Sequence, residues 1–403
     1  MNHCIPRRLA ASLLILAACA LCSACARLIA AGHLHQSAQD IFAGRYEAAI
    51  AETTKAIEAK PDYHFAYNNR AAAYTYARRY DLAEQDFRRA IALEPEEAIS
   101  HLSYVIMLVF VRREQEAAEH AERFLRSHPD STMLKCGLAM ALERSKDYSR
   151  AHGLASQCIA EFESGANPTE VRYAASAGVA RLYGLHARFA ARMGRKDEAW
   201  RSIEKASSIH DDFATRYSRA SIRYIEGNWE QALLVLREAD ARAQGAEKDS
   251  TDGVESRFLL GQCYQQLGRW REAQGAYEEF VAANPSEKEE FANLGLVKTK
   301  LGVSESAVAD FSRALEMDPH LLDARRNRGT AYQGQKRYEM AIQNFSGVLA
   351  EDGSDARTLY KRAYAYCTNG KWQLGAKDLR TLLRIEPKND DVSALLRACA
   401  GDE

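Results

Sequence analysis

Apolar residues recur along this chain in paired segments of helical spacing, and one small residue marks each pair. This residue is alanine in nine copies and glycine in the tenth: Ala49, Ala83, Ala117, Ala151, Ala199, Ala232, Ala273, Ala307, Ala341 and Gly375. Successive copies are separated by 34, 34, 34, 48, 33, 41, 34, 34 and 34 residues. A period of this length predicts a tandem array of helical hairpins.

Other residues in each copy predict where its helices begin and end. A glycine two positions before an aromatic residue predicts the turn inside a hairpin, since glycine is favoured just beyond a helix end. Gly44 with Tyr46 and Gly268 with Trp270 are examples. A proline that closes the copy predicts the end of the second helix, because proline cannot continue one. These prolines are Pro61, Pro95, Pro129, Pro285, Pro319 and Pro387.

The repeated residues resemble the tetratricopeptide-repeat consensus, from about residue 30 to about residue 390. One copy carries it most completely, with Leu260, Gly261, Tyr264, Gly268, Trp270, Ala273, Tyr277, Phe280 and Pro285. The resemblance implies an all-α, right-handed superhelical solenoid of about ten helical hairpins, in which small residues allow close helix crossings and large ones fill the space beside them.

Breaks in the period suggest a division into segments. We expect a signal segment at 1–26, a first repeat block at 30–165 and an irregular middle at 166–253 with insertions. A second repeat block should follow at 254–389, and residues 390–403 should form a capping helix. Such a cap covers the apolar face of a terminal repeat.

The first 26 residues have the pattern of an export signal. Arg7 and Arg8 precede an apolar run, Leu9 to Ala18, as in a secretory signal peptide. The segment from Leu16 to Cys19 resembles a bacterial lipobox, which implies lipidation of Cys19 and an outer-membrane lipoprotein facing the periplasm. Two alternatives remain open: cleavage at the A-x-A pattern around Cys25, or an uncleaved anchor from Leu9 to Ala26.

Charge and motifs argue against nucleic acid and catalysis. The formal net charge is −1, and acidic and basic residues alternate without a basic stripe, so we expect no nucleic-acid partner. No catalytic motif is recognisable, so we predict neither an enzyme nor a cofactor. His33 and His35 lack a nearby third ligand, and the other histidines are scattered over different repeats, so we predict no metal site.

Cysteines do not form the framework of this chain. Outside the signal region they are Cys136, Cys158, Cys263, Cys367 and Cys399. Cys367 and Cys399 fall on neighbouring turns at the end of the array and could pair, although the sequence favours small buried apolar side chains.

The resemblance places inward-facing positions on the first helix of each repeat. In the N-terminal block, these positions and an asparagine beside them, at a position where peptide-binding relatives have asparagine, predict an apolar peptide-binding groove. Its residues are Phe65, Asn69, Ile99, Leu102, Ile106, Val109, Met133 and Met140. The continuous apolar run from Tyr104 to Val111 exceeds one buried helical stripe, which predicts either a partner or cover by another part of the chain, such as residues 27–40.

The C-terminal block predicts a polar groove instead. Its residues are Asn293, Arg326, Asn327, Arg357 and Lys361. In peptide-binding relatives, asparagine at this position binds the backbone of an extended ligand, since an amide both donates and accepts. Asn327, Arg357 and Lys361 resemble part of a carboxylate clamp, but Ala292 and Leu296 replace the lysine and asparagine of its first repeat.

The predicted function is therefore protein binding. The chain resembles bacterial cell-envelope tetratricopeptide lipoproteins, which implies a scaffold that holds a partner's peptide or helix segment in its concave face and is attached to the membrane by its N-terminus. The alternative is a regulatory or substrate-recruiting subunit of an envelope enzyme or assembly machine.

Overall fold

The computed structural model describes residues 26–165, 176–243, 250–284 and 287–400, together with Glu247. Within these ranges the regular elements are all α-helices, which confirms the predicted all-α class. Cys19 and most of the predicted signal segment lie outside the described residues. None of the helices in the described ranges combines the length and the apolar character that crossing a bilayer demands.

The chain divides into two compact units, residues 1–253 and 254–403. The first unit contains α1 (26–42), α2 (Tyr46–Ala59), α3 (His64–Tyr76), α4 (Tyr80–Leu93), α5 (Ala98–Phe110), α6 (Glu114–Ser127), α7 (Thr132–Arg144), α8 (Tyr148–Ser164), α9 (Ser176–Arg192), α10 (Lys196–Ile209), α11 (Phe213–Ile225) and α12 (Trp229–Arg242).

The second unit contains nine helices within the described ranges. They are α13 (Thr251–Gln266), whose first turn includes the boundary, α14 (Trp270–Ala283), α15 (Lys288–Lys300), α16 (Ser304–Met317), α17 (Leu322–Gly334), α18 (Tyr338–Glu351), α19 (Ala356–Thr368), α20 (Trp372–Ile385) and α21 (Asp390–Ala400). The further division into the segments named above stays a prediction.

Consecutive helices pack as hairpins, and the marker residue lies where they cross. The nine marker alanines are 0% exposed. On the facing helix a small residue contacts an aromatic ring: a Cβ added at Gly329 would lie 2.7 Å from Phe345 Cε1, and one added at Gly295 would lie 2.9 Å from Phe311 Cε1. The aromatic residues fill the space that the small residues leave, as the sequence predicts.

Each of the ten hairpins in the described ranges turns through one residue with positive φ. Six of these residues are glycines, and the other four are Arg78, Arg112, Lys146 and Lys336, with φ between 59° and 66°. A side chain is strained in this left-handed region, so the geometry of the turn is imposed by helix packing even where glycine is absent.

A buried polar contact recurs within three of the hairpins. Arg70 and Arg362 each form a two-pronged ion pair with an aspartate sixteen residues later, Asp86 and Asp378. Arg328 has Asn344 at the equivalent position, with Nε 2.8 Å from Oδ1. Each arginine also donates to a hydroxyl of the preceding repeat, as Arg362 does to Ser346 at 3.1 Å. These arginines therefore join successive hairpins.

A disulfide between Cys367 and Cys399 joins α21 to α19. The sequence favoured unpaired cysteines here, and that interpretation was wrong. The disulfide also explains why the tenth marker residue is glycine. A Cβ at Gly375 would clash with Cys367 Sγ and lie 2.9 Å from Cys399 Sγ, so alanine would not fit. Val392 of α21 packs with Leu359 and Leu382, which places α21 as a cap on the last hairpin.

Candidate functional site

A cleft of about 610 Å³ opens on the second unit beside α19 and the capping helix. Residues from α17, α19, α20 and α21 line it: Gln333, Ala356, Arg357, Tyr360, Lys361, Tyr364, Leu382, Glu386, Asn389 and Val392. Its volume lies within the roughly 300–1,000 Å³ of sites that hold small ligands. The structure therefore brings together Arg357 and Lys361, two of the five residues predicted for the C-terminal groove.

Lys361 gives the cleft a positive charge that no carboxylate of the described residues pairs with. Its side chain is half-buried, and it forms no ion pair with any other described residue. Burial lowers the pKa of Lys361 below its ordinary value, and repulsion from Arg357, Arg326 and Lys300 lowers it further. A carboxylate entering the cleft would relieve this repulsion, because an opposite charge nearby favours the protonated lysine.

A second polar group at the cleft lacks a partner. Gln333 Oε1 is buried and accepts no hydrogen bond from the described residues. Buried polar atoms are almost always paired, so a group of this kind is a natural acceptor for an N–H of a bound molecule. Tyr360, Leu382 and Val392 supply apolar surface next to these polar groups.

The cleft also contains one acidic side chain. Glu386 accepts a hydrogen bond of 2.7 Å from Asn389 Nδ2, in the connection between α20 and α21. The cleft therefore offers a carboxylate as well as the cations Arg357 and Lys361, and an extended ligand would meet opposite charges on different parts of the lining.

Arg326 is occupied by the fold itself. Its Nη2 donates to Asp355 Oδ2 at 2.5 Å, its Nε donates to Thr358 Oγ1 at 2.8 Å, and Asp323 pairs with its Nη1. Asp355 is the N-cap of α19, so Arg326 links α17 to the beginning of α19. The positive charge of Arg326 therefore affects Lys361, but its N–H groups are not available to donate hydrogen bonds to a ligand.

Asn293 and Asn327 lie outside the cleft. They are partly buried on α15 and α17, and neither is among the residues that line the cleft. The backbone-binding role predicted for them stays a prediction. Two residues of the cleft were not predicted from the sequence: Gln333, at the end of α17, and Asn389, in the connection between α20 and α21. The repeat consensus assigns no inward-facing positions to either place.

Sequence profiles of known families match two parts of the chain. The tetratricopeptide repeat matches residues 64–97, and a second profile of the same description matches 258–320 and 292–356. The chain contains tetratricopeptide repeats. Among curated proteins, an 88-residue segment is 28% identical to the Hsp70-Hsp90 organizing protein of Triticum aestivum. That match covers 22% of this chain and only 15% of the relative's length.

Solved structures extend the likeness of fold beyond these repeats. The human IFIT1 dimer with PPP-AAAA is 15% identical, with a TM-score of 0.52 over 88% of this chain and 90% of that one. A monomeric IFIT1 mutant with Gppp-AAAA gives a TM-score of 0.53 over the same shares. YrrB, described as a TPR protein with an unusual peptide-binding site, is 19% identical with a TM-score of 0.42 over 48% of this chain and 96% of that one. The tetratricopeptide solenoid predicted from the sequence is thus confirmed as the fold.

Four of the eight residues predicted for the N-terminal groove pack in the core of the repeats: Leu102, Val109, Met133 and Met140. Leu102, Met133 and Met140 are partly buried and pack against the core of the repeats that contain α3–α9. Phe65 lies against the ring of His64, with centroids 4.0 Å apart. Asn69, Ile99 and Ile106 are partly buried. No residue of this set is among the strongly exposed apolar side chains of the described ranges.

Most of the apolar run at 104–111 lies in the core. The exposed apolar surface that was predicted from this run is therefore smaller than expected. Val109 is 5% exposed and Tyr104, Val105, Met107 and Leu108 are buried with it. Val109 is therefore not available to a ligand. The proposed cover by residues 27–40 is also wrong, since Ala30 and Leu34 of α1 pack with Ala56 and Ala66 of the first repeats.

Proposed function

We propose that this chain is a protein-binding scaffold that holds an extended, acidic segment of a partner in the cleft beside α19. The observation that carries the proposal is the half-buried Lys361, which lies among cations without an ion pair in the described residues. A hydrogen bond that involves a charged group contributes about 1.5–3 kcal/mol, so a carboxylate here would contribute substantially to affinity. Gln333 Oε1 would accept a backbone N–H from the same segment.

Similar proteins support the same class of function. The name of the wheat relative describes a protein that organizes Hsp70 and Hsp90, and YrrB is described as having a peptide-binding site. No catalytic role is needed to account for the cleft, since its residues recognise charge and backbone. The N-terminal groove is the weaker candidate, because half of its predicted residues pack in the core of the repeats.

Photo-cross-linking in cells tests this proposal. Tyr364, 41% exposed at the cleft, would be replaced by a photo-reactive phenylalanine, and Leu374, 47% exposed and outside the cleft lining, would serve as the control position. We expect a partner adduct from position 364 only, with an acidic segment at the cross-link. Equal adducts from both positions would count against the cleft.

Charge substitutions then measure the contribution of the cleft. The double change Arg357→Ala and Lys361→Ala should weaken binding of the captured segment by about 1–3 kcal/mol and flatten its salt dependence. Lys377→Ala with Arg380→Ala removes the same charge from exposed positions of α20 outside the lining and should leave binding unchanged. Equal binding by both double variants would exclude the cleft as the binding site.

We also propose that the chain is exported and attached to a membrane through a lipid on Cys19. The disulfide between Cys367 and Cys399 supports export, because disulfides persist in oxidising compartments. Cys19→Ala should abolish lipid labelling and membrane fractionation, and Cys22→Ala should preserve both. Membrane association without lipid in the parent chain would contradict the proposal. One acyl chain anchors a protein weakly, so several chains would be needed for stable attachment.

The alternative function is a regulatory or substrate-recruiting subunit of an envelope enzyme. This alternative uses the same cleft for binding, but it predicts that binding changes the rate of the partner enzyme. If the cross-linked partner is an enzyme, its rate with and without this chain separates a regulator from a passive scaffold.

A further inference from the structure

Two buried histidines and a glutamate converge in the first unit, away from the cleft. His152 lies on α8, His186 on α9 and Glu198 on α10, so two tetratricopeptide repeats contribute to the cluster. Each histidine is 7% exposed, whereas the side chain of Glu198 is 31% exposed. A cluster that is buried on one side and reaches solvent through its carboxylate has a route by which an ion can enter.

The spacing of the donor atoms suits a tetrahedral metal ion. His152 Nε2 lies 3.1 Å from Glu198 Oε1, and His186 Nε2 lies 3.6 Å from the same oxygen. One donor atom from each of the three side chains lies within 4.8 Å of the others. Nitrogen and oxygen ligands lie about 2.0–2.2 Å from zinc, so two ligands of a tetrahedral ion are about 3.3–3.6 Å apart. The two measured distances fall close to this separation.

Neighbouring hydroxyl groups contact both ring nitrogens of His186. Its Nε2 lies 3.2 Å from Ser156 Oγ, a contact that a bound metal ion would replace. His186 Nδ1 lies 2.9 Å from Ser202 Oγ, which can accept a hydrogen bond from Nδ1–H when Nε2 binds a metal. A partner of this kind at the second ring nitrogen is typical of metal-binding histidines. Arg195 lies 3.5 Å from Oε2 of Glu198, so it faces the carboxylate oxygen that does not approach the histidines.

We propose that His152, His186 and Glu198 bind one Zn²⁺ ion, which joins α8 to α9 and α10. Three protein ligands leave a fourth position for water or for a donor from a bound partner. The ion would connect the last regular repeat of the N-terminal block to the repeat that follows residues 166–175. The other close histidine pair, His101 and the partly buried His120, makes its 3.0 Å contact without a third ligand in the described residues.

Metal titration of the full chain tests this proposal. The chain would be stripped with a chelator, dialysed without reductant, and titrated with Zn²⁺ by calorimetry and with Co²⁺ by visible absorption. We expect one ion per chain, a Co²⁺ spectrum of low coordination number without thiolate bands, and a melting temperature that rises with Zn²⁺ concentration.

Variants identify the ligands. His152→Gln, His186→Gln and Glu198→Gln should each remove the stoichiometric binding, and His120→Gln should retain it. Ser202→Ala should weaken the affinity by roughly 10–100-fold, as loss of an orienting partner does. Circular dichroism of each metal-free variant establishes that it is folded, and Glu198→Gln keeps the result interpretable if a histidine variant does not fold.

Other outcomes overturn the proposal. Absence of stoichiometric Zn²⁺ binding by the parent chain would do so, as would binding that persists in folded Glu198→Gln and in either folded histidine variant. Thiolate bands in the Co²⁺ spectrum would assign the metal to cysteines and would equally refute the proposed site.

Discussion

Asp378 accepts two hydrogen bonds from the guanidinium of Arg362, one from Nε at 2.7 Å and one from Nη2 at 2.8 Å. The pair is largely buried, with 19% of the Arg362 side chain and 9% of the Asp378 side chain exposed. Burial tends to lower the pKa of Arg362, but the bonds to Asp378 raise it above its ordinary value overall. The equivalent Arg328 faces Asn344, and burial lowers its pKa.

Asp378→Asn should therefore give the tenth repeat the contact that the ninth repeat already has. We expect it to lower the free energy of unfolding by about 1–3 kcal/mol, because a charge-assisted bond is replaced by a neutral one. Urea unfolding measures the change. Asp391→Asn, at an exposed position on α21, should change stability by less than about 0.5 kcal/mol. Equal stabilities of the two variants would refute the importance of the buried pair.

Close helix crossings predict opposite effects for two glycine substitutions. Gly329→Ala would place a Cβ 2.7 Å from Phe345 Cε1, and it should destabilise the chain by about 1–3 kcal/mol through overpacking. Gly275→Ala, also within a helix, has no atom within 4 Å of the added Cβ. It should stabilise the chain by about 0.5–1 kcal/mol through better helix propensity. Thermal melts of both variants measure the two changes in stability. If Gly329→Ala stabilises the chain, the close packing of Gly329 against Phe345 is wrong.

Strain in the hairpin turns predicts a gain in stability. Lys336 has φ of 59°, and glycine adopts this conformation without a steric penalty. We expect Lys336→Gly to raise the free energy of unfolding by about 0.5–1 kcal/mol after the entropy cost of glycine in the unfolded chain is subtracted. The control is Lys377→Gly within α20, which should lower the free energy of unfolding by about 1 kcal/mol. If both substitutions destabilise equally, the turn is not strained.

The disulfide should stabilise the C-terminal cap. Cys367→Ala with Cys399→Ala should cost about 2–4 kcal/mol, the usual effect of losing a disulfide. Hydrogen exchange should rise in α21 and the adjoining α19 and remain unchanged in α2–α8, since repeats contact only their neighbours. Peptide mapping without reductant would establish the pairing directly. Cys263→Ala, which removes a buried unpaired thiol, should leave exchange in α21 unchanged.

His120 makes stability depend on pH. Burial and, to a smaller extent, repulsion from His101 together lower its pKa from 6.5 to about 4. The unfolded chain therefore binds the proton first, so stability is fully present above pH 6.5 and falls as the pH drops from about 6.5 to about 4. This one histidine can change the free energy of unfolding by up to about 1.4 kcal/mol per pH unit. His120→Gln should flatten that slope in melts between pH 4 and pH 7, whereas exposed His210→Gln should not.

The sequence determined the fold because the repeat is local and recurs. Ala83, Phe87 and their equivalents each depend on contacts within one hairpin, so a period near 34 residues was sufficient to predict the helices and their crossings. The aromatic residues beside small residues, as in Gly329 with Phe345, follow from the same register. Arg357 and Lys361 were predicted as groove residues for this reason too, since Arg357 occupies an inward-facing position of its helix and Lys361 the position beside the inward-facing ones.

The tertiary structure alone decided which side chains are available. Helix periodicity does not distinguish a groove residue from one that a neighbouring repeat covers, so it placed Val109 on a surface when it is core. It identified Arg326 by position but not the carboxylate of Asp355 that binds it, which comes from the next repeat. Contacts between residues far apart in sequence, such as Cys367 with Cys399 and His152 with Glu198, depend on how successive hairpins stack and on side-chain orientation. Sequence spacing specifies neither, and it is these contacts that form the cap, the cleft and the histidine cluster.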